Sequence, residues 1–450
     1  MHDRPTGFRR LMHRLEMDRA VTLAVLLRGW QFLGGAVSAL LITAFLSIDE
    51  QGYYYAFASA LTVQTFFELG FTIVITNTAS HEWSRLRLDD NGCITGEAES
   101  LSRLVSLGRL VFVWYAVAAI LFLVAAGLGG YFYLLAREDL GIAWHGPWLA
   151  VVGLTALLLW ALPFNALLEG CNQVATVNGY RLAQAITANA AVWILLVAGG
   201  GLWALVGAAG ARLLVDLALI CHRYRAFFEP FRRPPVSGVI DWRRDLWPMQ
   251  WRLAISSAFH FFTASLIVLV IFHYHGPAAG GRMGMTWVLI GALQAAALAW
   301  VQTRVPRMGM LIAESKYDDL DRLFRRQTSL SVGVVAVGGS AIWLAVYAVD
   351  RMGLSIAGRL LPPTATGVYL LAILAYQIPQ CMSFYIRAHK RDTLLGASVA
   401  TSIGVGLTAW WFGSQYGPLQ AGLGYLTVIL CVTLPWHVFL WRRCKANHFA

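Results

Sequence analysis

Twelve apolar runs, each about twenty residues long, fill most of this 450-residue sequence. They lie near residues 29–48, 53–75, 110–135, 148–170, 182–199, 202–221, 253–272, 284–303, 329–349, 365–386, 394–412 and 418–440. Each is long enough to carry an α-helix across roughly 30 Å of hydrocarbon, and none alternates with the period of two that a barrel strand requires. No water in the bilayer core satisfies the backbone, so the N–H and C=O groups of each run must pair within it as a helix. The pattern predicts an all-α polytopic membrane protein. The fifth and sixth runs are the least separable, because the glycine-rich "VAGGGLWALVGAAG" joins them.

Composition agrees: 58% of residues are hydrophobic and 13% charged, with a mean hydropathy of +0.59. A soluble domain carries about 25% charged residues. The basic residues then orient the helices. With the N-terminus inside, the inner segments hold 29 of the 35 lysines and arginines and the outer loops only Arg137, Arg282, Arg351 and Arg359. Both termini are expected on the cytoplasmic side of an inner membrane. The same bias accounts for the net charge of +11 without a nucleic-acid partner. Residues 1–20 mix arginine with Asp3, Glu16 and Asp18, which is not the pattern of a cleavable signal peptide.

The inner loops 76–109, 222–252 and 304–328 are the long ones. The loop with "EPFRRPPVSG" separates two six-helix halves, giving an N-terminal bundle over 1–221, a cytoplasmic linker over 222–252 and a C-terminal bundle over 253–450. The halves read as a repeat. Arg28 and Arg252 each open a span, and Pro163 and Pro379 sit at similar places in the fourth and tenth, where each is expected to kink its helix. An even number of spans per half makes the repeat parallel, the arrangement of transporters that rock about a midplane site.

Polar residues inside the spans are the candidate chemistry. Gln64, Glu68, Thr72 and Thr76 recur every four residues and predict one polar stripe, turned to a cavity or to neighbouring helices. Glu68 is the leading coupling candidate, with a protonated packing glutamate as the alternative. Arg212 and Asp216, four apart in the sixth span, are expected to pair with each other. His260 is a candidate for titration or for a cross-helix hydrogen bond, against plain packing. Arg28 and Arg252 have two readings. Each can snorkel to headgroups beside Trp30 or Trp247 and Trp251, or the two can bind an anionic substrate, since guanidinium suits phosphate oxygens. The six cysteines have neither metal spacing nor an external pairing, and no Walker motif or nucleophile–base set is present, so no cofactor, metal or catalytic group is expected.

The stretch "EQGYYYAFASALTVQTFFELGFTIVITNTASHE" resembles polysaccharide-repeat flippases of the multidrug/oligosaccharidyl-lipid/polysaccharide (MOP) exporter superfamily. "DLWPMQWR", "GRMGMTWVL", "VQTRVPRMGMLIAE" and "LLEGCNQV" resemble the same branch and spread over both halves. The resemblance implies twelve to fourteen helices in two bundles around a central, often cationic cavity. It implies transfer of a polyprenyl-diphosphate-linked oligosaccharide to the outer leaflet, with H+ or Na+ as possible coupling ions and polysaccharide assembly proteins as possible partners. A cation-coupled drug or metabolite antiporter of the same superfamily, a membrane enzyme of polysaccharide assembly and a non-transporting scaffold are the rivals.

Overall fold

The computed structural model describes residues 19–136, 141–389 and 393–446. Among them ten helices are long and apolar enough to cross a membrane, and twelve spans result when each of two bent helix pairs counts as one. All twelve apolar runs of the sequence are helical. The chain is an all-α polytopic membrane protein.

The first compact unit gathers residues up to 45, 64–132 and 143–254. It holds α1 (Arg19–Phe45), then α3 (Gln64–Glu68) and α4 (Phe71–Trp83), which follow a short α2 (Ile48–Leu61). A small antiparallel hairpin, β1 (Leu86–Leu88) and β2 (Ile94–Gly96), leads into α5 (Ala98–Leu135). There follow α6 (His145–Gly170), α7 (Val174–Val197) and α8 (Trp203–Leu217). Side chains such as Val113, Ile120, Ile194 and Leu214 point outward, as they should where lipid is the solvent. Between membrane helices, association relies on close packing and polar contacts. Gly170 shows the first: a Cβ there would meet Thr76 O at 2.7 Å, so α4 and α6 touch through backbone. Trp193 shows the second, its indole N–H donating to Ser38 Oγ at 2.9 Å between α7 and α1.

The 222–252 segment, expected as a linker, is packed into this unit. Phe227, Phe228 and Phe231 are buried, and Phe164 stands 5.1 Å from Phe228 between ring centroids. Ser102 and Ser106 of α5 accept the backbone N–H groups of Ser237 and Ile240.

The second unit takes residues 46–63, 133–142 and 255–450, and α9 (Trp247–Ala264) begins in the first unit and ends in the second. Its helices are α10 (Leu266–His275), α11 (Pro277–Gln302), α12 (Val305–Ala313), α13 (Tyr317–Arg351), α14 (Pro363–Ala388), α15 (Leu395–Tyr416), α16 (Pro418–Val428) and α17 (Leu434–Ala446). The α2 helix, capped by a reciprocal Ser47–Glu50 box, belongs here. Its Gln51 is buried and donates to the carbonyls of Gly281 and Arg359, each at 3.1 Å. One hydrophobic core of this unit packs Met308, Leu320, Phe324, Cys381 and Tyr385 together.

The helix breaks and the prolines do not coincide. α6 and α14 run through Pro163 and Pro379 as continuous helices. The breaks fall elsewhere, at Leu69–Gly70 with a 46° bend and at Ser265 with a 40° bend. A proline forfeits one hydrogen bond and crowds the preceding turn; Ser383 Oγ, one turn after Pro379, donates back to the Pro379 carbonyl at 3.0 Å.

Candidate functional site

The break in the second span is built from two consecutive left-handed residues, Leu69 at φ 53° and Gly70 at φ 62°. Glycine adopts this region freely and leucine does so only under constraint. The predicted stripe of Gln64, Glu68, Thr72 and Thr76 is therefore split between α3 and α4 rather than laid along one helix. Its middle survives across the break. Thr72, in the first turn of α4, donates its hydroxyl to Glu68 Oε1 at 2.5 Å and lies 3.2 Å from the hydroxyl of buried Tyr115 on α5. Thr76 turns to α6, reaching Ala166 O at 3.3 Å. Glu68 is half-buried, as is Gln64.

One residue along α6 begins a second polar group. Asn165 donates to Asp216 Oδ1 at 2.9 Å, and Gln184 of α7 donates to the same oxygen at 2.6 Å. Asp216 is 5% exposed. Arg181 and Glu169 form an ion pair at 2.5 Å nearby on α7 and α6. The expected Arg212–Asp216 pair is absent among the described residues: Arg212 is exposed, while Asp216 is buried against α6 and α7. The physical reason is competition. Two preplaced amides satisfy the carboxylate inside the unit, whereas pairing with Arg212 would draw a guanidinium out of an exposed position into the helix packing.

Arg28 and Arg252 are both exposed, and among the described residues neither has a carboxylate within ion-pair distance. Arg252 lies over the ring of Trp251, 5.4 Å from its centroid. Close by in the chain, Trp242 donates to Gln250 Oε1 at 2.7 Å and stacks on Trp114 at 6.1 Å. The Gln250 side chain is fully buried and its Nε2 has no partner. His260 lies in α9, and its side chain is outside the described residues.

The first unit thus joins two carboxylates through α6: Glu68 by way of Thr72, Thr76 and Ala166, then Asp216 by way of Asn165. Among the described residues both are held by neutral donors and neither is in a salt bridge. A carboxylate so placed can take up a proton or a monovalent cation without breaking an ion pair. Sequence reading missed Asn165, Gln184, Arg181 and Tyr115. The available signal was an amide inside each of two apolar runs, "LPFNALL" and "RLAQAIT".

No protein-family model and no curated protein matches the sequence. Solved structures do. An inward-facing multidrug resistance MATE family transporter of the MOP superfamily aligns with a TM-score of 0.65 and 10% identity, over 92% of this chain and 96% of that one. The lipid II flippase MurJ, in an inward closed conformation, aligns with a TM-score of 0.66 and 11% identity, over 95% of this chain and 91% of that one. The MATE multidrug transporter DinF-BH, solved as a complex, gives 0.60 and 11% over 96% of each chain. The fold is that of the MOP-superfamily transporters, with twelve helices in two bundles. Drug transporters and a lipid flippase both carry it.

Proposed function

We propose that this protein is a flippase that moves a polyprenyl-diphosphate-linked oligosaccharide from the cytoplasmic to the outer leaflet of the inner membrane by alternating access. The observation that supports this reading is the pair Arg28 and Arg252, within the first three turns of α1 and α9 and with no carboxylate partner among the described residues, in a fold shared with a lipid II flippase. Cations left unneutralised suit a diphosphate. The sugar needs a wet path, while the polyprenyl tail stays in lipid and is never desolvated from it. Uptake of a proton or Na+ at Glu68 or Asp216 supplies the energy.

A cation-coupled drug antiporter is the second reading, favoured by the buried Asp216 and by the multidrug transporters of like fold. Deleting the gene separates them. The flippase reading expects full repeat units trapped on the inner leaflet and loss of surface polysaccharide. Unaltered polysaccharide together with lost export of cationic dyes would establish the antiporter instead, and single unpolymerised units at the surface would indicate an enzyme of assembly.

A further inference from the structure

Where the eighth span ends, α11 stops at Gln302 and the chain turns through Thr303 and Arg304 into α12. Pro306, at the start of α12, fits this restart because its missing N–H has no intrahelical partner there. α12 is short and amphipathic: Met308 is buried in the hydrophobic core and Arg307 is exposed. The first turns of α13 pack beside it. Between them lies a cavity of about 270 Å³ lined by Trp300, Arg304, Arg307, Leu323, Arg326 and Leu330. Three arginines from three successive segments line one hollow.

Their charge is not balanced by the acids nearby. Glu314 pairs with Lys316 at 2.7 Å, and Asp319 with Arg322 at 3.6 Å. Asp321 is held by Lys445 and by the Tyr385 hydroxyl. Among the described residues, Arg304, Arg307 and Arg326 have no carboxylate within ion-pair distance. The hollow also has an apolar edge, where Trp300 is 54% exposed and Leu330 45%. Three like charges lining one cavity repel, and an anion between them removes that repulsion.

We propose that this cavity is a binding site for the phosphate group of an anionic lipid. The guanidinium groups take the phosphate oxygens, for which their planar fork is suited. Trp300 and Leu330 lie along the first part of the hydrocarbon chain, and tryptophan at headgroup depth anchors that boundary. Basic pockets between membrane helices on the inner side are a common setting for such headgroups. The site lies in the second unit and does not rest on the transport reading. Its phosphate has two sources, a phospholipid of the inner leaflet or the diphosphate of a lipid-linked sugar.

Native mass spectrometry of the full-length protein, titrated with phosphatidylglycerol, phosphatidylcholine and undecaprenyl diphosphate, tests this. Wild type should retain one anionic lipid that phosphatidylcholine does not replace. R304Q/R307Q/R326Q should weaken that retention on the order of a hundredfold, at roughly fivefold per cation. R325Q/R442Q/R443Q removes as many exposed inner charges outside the cavity and should leave it unchanged. Should the first triple variant not fold, R304Q, R307Q and R326Q singly should each show their share. Preference for undecaprenyl diphosphate assigns the site to the substrate, and preference for phosphatidylglycerol assigns it to the bilayer. Equal retention by wild type and cavity variants, or equal loss in the control, overturns the proposal.

Discussion

Single side chains decide whether charge or geometry does the work in the first unit. Both amides that hold Asp216 donate to one oxygen, Oδ1. Asp216→Asn keeps that acceptor and deletes only the charge. It should stay within about 1 kcal/mol of wild-type stability, while losing its response to an imposed proton or Na+ gradient in vesicles; an unchanged gradient response would remove Asp216 from coupling. Glu68→Gln keeps the acceptor for Thr72 in the same way, and substrate binding should persist while gradient dependence is lost. For Arg28 and Arg252, lysine preserves the charge and most of the length, whereas glutamine keeps a polar group without the charge. Lysine variants should retain partial flipping and glutamine variants should lose at least about tenfold, the scale of one charge-assisted contact. Full activity in both glutamine variants at normal protein level would reduce the arginines to interface anchors. The sequence exposed Glu68 and Asp216 as polar residues in apolar runs, yet it misassigned the partner of Asp216. Spacing along one helix shows which residues share a face; it does not show that Asn165 and Gln184, 51 and 32 positions away, arrive first.

At the scale of the element, the second span is two helices meeting at strain. Leucine held at φ 53° costs on the order of 1–3 kcal/mol, which surrounding contacts offset. Leu69→Gly should therefore give up little or no stability despite losing a leucine side chain, whereas Gly70→Val should lower the melting temperature markedly, because a β-branched residue is poorly suited to φ 62°. Thermal unfolding in detergent reads both, and equal loss from the two would contradict a strained break. This feature was illegible in the sequence. "ELGF" offers one glycine in an apolar run that otherwise carries helical periodicity, and periodicity alone does not mark a left-handed pair. The prolines, which are the stronger sequence signal for a kink, sit inside unbroken helices away from this break.

Over the whole molecule, the pattern of apolar runs was sufficient for the architecture, because the bilayer leaves the backbone only one way to satisfy itself in such runs. Helix number and class were legible for that reason. The lengths of α5 and α13 were not, since their N-terminal ends carry polar residues that the hydropathy pattern assigns to loops. Topology remains a prediction at this scale. With single cysteines placed in loops 76–109, 222–252 and 304–328 of a cysteine-free background, an impermeant reagent should label none in intact cells and all after permeabilisation. Labelling of all three from outside would invert the orientation derived from the 29 inner basic residues.

The 38 residues of α5 make a rod of about 57 Å, close to twice the hydrocarbon thickness. Its N-terminal end is loaded. Arg103 ties it to Glu82 of α4 at 2.8 Å, Ser102 and Ser106 hold the 237–240 backbone, and Gly108 leaves room for the Phe231 ring, which stands 2.2 Å from where a Cβ would be. A rigid rod magnifies angle into distance. A tilt of roughly 10° about its midpoint sweeps each tip through about 5 Å, given a rise of 1.5 Å per residue. The hairpin turn at Asn91 therefore rides on a built-in pointer, and a spin label there would register reorientation of a membrane helix from a position in water.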